Sequence, residues 1–380
     1  MFDKGYSIKI AESRCLNQRH HGVACNHCKC HCPADAILLD QANVSLNKEN
    51  CNGCGLCFSD CPTQVFSSSQ WDETSLAENI QRQGWKITEF FCGNHSSPYQ
   101  DHKSPARGAL QIPACLSIIA RGGWYELGLK TQIELHLEQC EGCSRSKTIP
   151  RLEFNIATAS EWLMASGHTP EFSFIHQGGK GKVEKSLKAI ETGFKITSRR
   201  DLFLSLINRG RQAAGQMPDS RKSFSQESDP ARRGSCLPDW QRRLAEVYSK
   251  NSLEGASPAY WPTVKINSQC VHCGMCSLFC PSFALQSVVQ GGSCTYSFNS
   301  GLCLDCRICQ LVCEKGAISR DREKNEKPFE MKSIFSAPVI ECERCGSVTP
   351  DPSTPLCYWC GTEKASDYAF KDVCRELFNH

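Results

Sequence analysis

Residues 51–62 read C-N-G-C-G-L-C-F-S-D-C-P, which places Cys51, Cys54, Cys57 and Cys61 at the spacing C-x2-C-x2-C-x3-C-P. Three thiolates this close together can cap three irons of one cubane, while a fourth, held by a proline-stiffened turn, reaches the other cluster of a pair. A single C-x-x-C would equally suit a redox dithiol or half a zinc site; four cysteines at this spacing narrow the chemistry to iron and sulfide. The unit returns as C270-V-H-C-G-M-C-S-L-F-C280-P and as C303-L-D-C-R-I-C-Q-L-V-C313-E, which adds Cys270, Cys273, Cys276, Cys280, Cys303, Cys306, Cys309 and Cys313. Gly274 repeats Gly55, giving the chain close access to a sulfide corner. Glu314 replaces the last proline. Proline there shapes the turn and binds no metal, so the cluster is expected to survive, with the ionised carboxylate pushing its potential down.

A variant of the unit precedes the first: Cys15, then Cys25, Cys28, Cys30, Cys32 and Pro33. When the two C-P steps are aligned, Cys28 and Cys25 take the third and second positions and the first falls on Gly22. Cys15 is the favoured replacement, because a longer loop can return a thiolate to the same corner; Cys30 is the runner-up. Whether this cluster is a [4Fe-4S] or a three-iron form stays open.

After the C-P steps come the short extended segments A34-D-A-I-L-L and T63-Q-V-F, with V44-S-L between the motifs, enough to line a small core. On these residues, 1–75 and 266–330 each resemble two-cluster bacterial ferredoxins, and together they resemble polyferredoxin iron-sulfur proteins. The resemblance implies a pseudo-symmetric α+β fold and crossed ligation. Cys15, Cys25, Cys28 and Cys61 would hold one cluster and Cys51, Cys54, Cys57 and Cys32 the next. In the second module Cys270, Cys273, Cys276 and Cys313 would hold one, and Cys303, Cys306, Cys309 and Cys280 the other.

Residues 85–176 change pattern. Strands are predicted at W85-K-I-T-E-F-F, A109-L-Q-I, T131-Q-I-E-L-H-L and E171-F-S-F-I-H, with helical character at 116–121 and 151–164. Alternation of this kind predicts a small parallel α/β domain. Cys92, Cys115, Cys140 and Cys143 each follow a predicted strand, and parallel strands end at one sheet edge, so the four thiols should converge. Four thiolates suit zinc, [2Fe-2S] or [4Fe-4S] chemistry. In cysteine and strand order the stretch is similar to thioredoxin-like iron-sulfur subunits of hydrogenase and related reductase complexes.

Residues 177–265 are basic and broken by Gly, Ser and Pro, which predicts a linker with helices at D201-L-F-L-S-L-I and W240-Q-R-R-L-A-E-V-Y. Its S198-R-R-D-L-F-L stands internally and reads as a serine-capped basic helix, not an export signal. Residues 335–380 carry C342-E-R-C-G and C357-Y-W-C-G, so Cys342, Cys345, Cys357 and Cys360 form a zinc-ribbon or rubredoxin pattern, with structural zinc favoured over iron, whose metal would supply much of the folding energy. Cys30, Cys236, Cys294 and Cys374 remain without a role.

Composition bounds the rest. The chain has 380 residues, enough for several modules, and 28 cysteines without a recognisable signal peptide or membrane span, so metal ligation in the cytoplasm is expected over disulfides. The formal charge of +3 belongs to the metal-free chain. Four clusters at about −2 each would reverse it, so the balance does not argue for nucleic acid. No radical C-x3-C-x2-C loop, dinucleotide G-x-G-x-x-G turn or phosphate loop occurs. The expected function is electron relay through about four [4Fe-4S] clusters, with catalysis residing in a partner oxidoreductase complex. By analogy, proteins of this layout are similar to those found with molybdenum or tungsten enzymes such as formate dehydrogenase. The alternatives are a maturation factor for a metalloenzyme, using labile clusters or reactive cysteines, and a redox sensor or scaffold.

Overall fold

A computed structural model describes residues 8–19, 23–40, 43–96, 106–176, 179–181, 194–196, 235–253, 257–350, 353 and 355–361. The architecture mixes helix and strand in several small sheets. Near the N-terminus, β1 (Lys9–Ile10) pairs antiparallel with β5 (Phe66–Ser67), and β3 (Ile37–Asp40) forms a hairpin with β4 (Asn43–Leu46). The second cysteine-rich segment repeats this plan at greater length. There β12 (Ala259–Ile266) pairs with β15 (Ile318–Asn325), enclosing the hairpin of β13 (Leu285–Gln290) and β14 (Ser293–Phe298), to which β16 (Lys332–Pro338) adds a third strand. Each motif lies where the chain passes from one hairpin arm to the next, so the thiols of distant motifs face one another.

Between them stands the α/β unit. Strands β6 (Ile87–Phe91), β7 (Arg107–Gln111), β8 (Gln132–His136) and β9 (Phe172–His176) are parallel in the order β7-β6-β8-β9, and β10 (Gly179–Gly181) closes the edge antiparallel to β9. The predicted strands are all present. The helix expected at 116–121 is a single 3₁₀ turn at Leu116–Ile118. The true crossover is α5 (Arg121–Gly128), which paired glycines disguise in the sequence because they lower helix propensity. Helix α4 (Glu73–Gln83) precedes β6; the Asp72 side chain caps it, accepting from the Thr74 and Ser75 amides at 2.9 and 3.3 Å, and Gly84 ends it in the left-handed region. The long α6 (Ile149–Ala165) matches its expected span within two residues.

The basic segment is not wholly linker. Helix α7 (Asp239–Asn251) buries Trp240, Leu244 and Tyr248 against the α/β unit, following its apolar spacing, and β12 begins at Ala259, inside the same stretch. The helix expected over 201–207 and the 198–204 motif lie outside the described residues. Trp261 of β12 stacks on Trp162 of α6 at 4.9 Å between ring centroids and meets Tyr248 and Phe329 edge-on at 5.8 and 5.5 Å. This aromatic block joins the α/β unit to the second cysteine-rich segment. Replacing Trp261 with Ala should therefore cost about 3–5 kcal/mol. Thermal unfolding of the anaerobic metal-loaded protein checks it, and an unchanged midpoint would show that the block does not hold the units together.

Candidate metal centres

The backbone repeats wherever a motif ends. Three residues after Cys32, Cys61, Cys280 and Cys313, the chain turns through the left-handed region at Asp35, Gln64, Phe283 and Gly316. The turn swings a following amide onto the cysteine: Ala36, Val65, Leu285 and Ala317 donate to the four Sγ atoms at 3.2–3.4 Å. Amides aimed at sulfur stabilise thiolate over thiol. The residue after the second cysteine of three motifs is also left-handed: Gly55, Gly274 and Arg307. At Gly55 there is no room for another residue, since a Cβ would stand 2.7 Å from Ile118.

The variant motif departs here as it does in sequence. Asn26, after Cys25, has φ −127°, and the peptide of Cys25 is held instead by Asn17, whose side chain accepts from its amide at 2.6 Å and donates to its carbonyl at 2.8 Å.

The thiols gather in sets. Burial pushes the Cys25 and Cys28 thiols well up, and each is pushed further by Cys61 and Cys15. Cys30 is exposed. Burial raises Cys54 to about 12, with Cys32 and Cys51 among its neighbours, and Cys57 feels Cys54 and Cys51 first, then Cys28 and Cys61. In the second segment Cys276 is raised by burial, then by Cys273, Cys309, Cys270 and Cys313, while Cys306 feels Cys280, Cys303 and Cys309. Cys57 and Cys309 thus lie toward the neighbouring set. One cavity is lined by Cys32, Cys51, Cys54 and Cys57 and another by Cys270, Cys273, Cys276 and Cys313, with apolar walls that include Ile37 and Leu56 in the first and Ile266 and Met275 in the second. Thiols held this far from ionising, around space of this kind, are a donor set for a cationic multi-iron group.

The cysteines of the α/β unit follow the C-terminal ends of β6, β7 and β8 as expected. Burial raises Cys140 to about 12, and Cys115, Cys92 and Cys143 add to it; Cys92 feels Cys115 and Cys143. Their edge abuts the first segment, where the Cys115 amide donates to the Cys54 carbonyl at 3.1 Å. Arg145 donates to the carbonyl of Asn52 at 3.0 Å through Nε.

The four cysteines of the last segment sit closer together. All ligand atoms of Cys342, Cys345, Cys357 and Cys360 lie within 4.8 Å of one another, a single-ion spacing found for no other group of cysteines among the described residues. Burial opposes ionisation of Cys342, but amides near Cys357, Arg344 and Cys345 outweigh it and bring the thiol down to about 7. Two other groups of ligand-type side chains already pair with an arginine. Asp60 is held below the usual carboxylate range despite burial, by His31 at 2.6 Å and by Arg151; Glu89 and Glu134 share Arg107 beside His136.

Sequence reasoning missed Asn17, Asp60, Arg145 and Arg320, all of them partners of cysteines or of their loops. Only the position of Asp60, directly before Cys61 in an apolar stretch, hinted at a burial that needs partners.

Comparison with known proteins places a 4Fe-4S binding domain at residues 44–67. A pyruvate synthase subunit, PorD of Thermotoga maritima, is 38% identical over 50 residues, which is 13% of this chain and 48% of that protein. The chain spans about half the length of the curated relative it matches. This chain therefore carries an iron-sulfur-binding segment of ferredoxin type. No helix among the described residues is long and apolar enough to cross a membrane.

Replacing Cys15 with Ser should remove iron, up to about four atoms per chain, whereas Cys30→Ser should leave iron and acid-labile sulfide unchanged. Elemental analysis of the anaerobic proteins checks both, and the reverse pattern would return the ligand to Cys30. Incubation with a zinc chelator should strip one ion from the last segment, and Cys342→Ser should purify without it.

Proposed function

We propose that this protein relays single electrons through four [4Fe-4S] clusters, bound by Cys15/Cys25/Cys28/Cys61, Cys32/Cys51/Cys54/Cys57, Cys270/Cys273/Cys276/Cys313 and Cys280/Cys303/Cys306/Cys309, between redox partners that include a larger oxidoreductase. The observation that carries the reading is the fourfold recurrence of one device: a left-handed turn, an amide donated to sulfur, and thiols from two motifs brought to one place. When bound, the clusters supply reversible one-electron storage. The chain sets their surroundings, excluding water with apolar side chains and donating to sulfur from the backbone.

Contacts between the sets support an order. The α/β cysteines adjoin the second set through Cys115 and Cys54, and the second adjoins the first through Cys57 and Cys28. The first reaches the fourth across the seam between segments, where Arg14 donates to the Leu237 carbonyl at 3.0 Å and the Cys236 amide donates to Pro281 at 3.0 Å. Cys276 and Cys309 link the fourth to the third. The α/β cysteines would hold a fifth redox group. Their spacing, wider than that of a single-ion site, favours an iron-sulfur group over zinc.

The ribbon would hold structural zinc. Similarity to a pyruvate synthase subunit supports a partner that is a larger oxidoreductase complex; the formate dehydrogenase analogy rests on cluster layout alone. The maturation-factor alternative needs reachable, partly ionised thiols, and ready alkylation of Cys140 and Cys143 in the purified protein would favour it.

Anaerobic purification with iron, sulfide and zinc analysis tests the proposal. About sixteen irons in cubanes, more if the α/β group also binds iron, and one zinc per chain are expected, with interacting [4Fe-4S] signals in the EPR of the dithionite-reduced protein. Eight or fewer irons, or clusters passed readily to an apo-protein, would replace the relay with the maturation role.

A further inference from the structure

Arg320 lies on β15, seven residues past Cys313, with its side chain only 7% exposed. One terminal nitrogen of its guanidinium stands 3.5 Å from Cys309 Sγ and the other 3.3 Å from Cys303 Sγ. The second also donates to Asp305 at 2.7 Å, and the remaining oxygen of that carboxylate accepts from Arg322 at 3.3 Å. The fork is thus pinned astride two ligands of one set. Two guanidiniums share one carboxylate, leaving a net positive charge beside the sulfurs.

We propose that Arg320 is a potential-setting residue for the cluster bound by Cys280, Cys303, Cys306 and Cys309, raising it above the other three so that the first electron to enter the protein rests there. The inference builds on the reading of these cysteines as cubane ligands. An added electron increases the negative charge on the cluster and its sulfurs. Charged N–H donors fixed in a buried site stabilise that reduced state more than the oxidised one.

The amide-to-sulfur bonds recur in all four sets and so do not distinguish them, but the side chains do. In the first segment, the position seven residues past Cys61 is Ser68, whose hydroxyl accepts from the Gln70 amide and offers no charge to the second set. The third set has Glu314 beside Cys313, its carboxylate accepting from the Tyr358 hydroxyl. The first has Asp60 beside Cys61, a carboxylate already shared by His31 and Arg151. Among the described residues, only Arg320 places a guanidinium within hydrogen-bonding distance of a cysteine sulfur.

The experiment is an anaerobic redox titration of the full chain with dithionite as electron source, following the cluster signals by EPR in wild type, Arg320→Gln and Arg320→Lys, with iron measured on each sample. Arg320→Gln should move the midpoint of the first cluster to reduce to more negative potential and leave the later ones in place. Arg320→Lys, which keeps the charge but not the fork, should give a smaller shift. An unchanged first midpoint at full iron content overturns the proposal. If Arg320→Gln loses iron, Arg320→Lys at full iron decides by the same criterion. A wild-type chain short of one cluster, with the deficit unchanged by Cys303→Ser, would instead overturn the cubane reading on which the proposal rests.

Discussion

The fold depends on the cost of burying thiolates. Burial holds Cys57, Cys276 and Cys306 far from ionising, and each like-charged neighbour adds to the penalty. Only a cationic group in their midst reverses that balance, by releasing the protons and accepting the sulfur lone pairs. The strands around the first motifs are brief, while the second segment buries Ile266, Met275, Leu285, Tyr296 and Ile308 in a cluster that its cysteines share. The left-handed turns and their sulfur-directed amides place these thiols within the apolar clusters and favour the thiolate there.

The α/β unit is built on the opposite principle. Phe90, Ile133, Leu135, Ile156 and Trp124 are fully buried, and the sheet needs no metal to hold them. It serves as a rigid wall for its neighbours: the Ile118 side chain closes over Gly55, and Trp162 of α6 and Tyr248 of α7 receive Trp261 of β12. A packed sheet against both cysteine-rich segments holds their loops at fixed separations.

Much of this was legible in the sequence because cysteine spacing encodes ligand geometry directly. The grouping of Cys51, Cys54 and Cys57, the strands ending at Cys92, Cys115 and Cys140, and the closeness of the last four cysteines all follow from local rules. What escaped was tertiary. Helix α5 reads as a loop because Gly122 and Gly123 open it, yet a side chain at Gly122 would collide with Trp240, so those glycines serve close packing. Helix α7 sits in a segment whose average composition suggests a tether, and only the phase of Trp240, Leu244 and Tyr248 marks its buried face. Arg320 was invisible because nothing in a single strand says which thiol lies across from it. Cys15 and Cys30 could both reach by loop length, and only the fold shows that Cys15 is buried and Cys30 exposed.

The ribbon's placement has a consequence for how the protein is made. Tyr358 and Trp359, from the turn that carries Cys357 and Cys360, line the cavity of Cys270, Cys273, Cys276 and Cys313, and Tyr358 bonds to Glu314 at its rim. The ribosome delivers these residues after every cysteine of that cavity, and domains fold in the order in which they emerge. The wall of that cavity is therefore completed only after the last segment has been made, by residues more than forty positions downstream of its final cysteine.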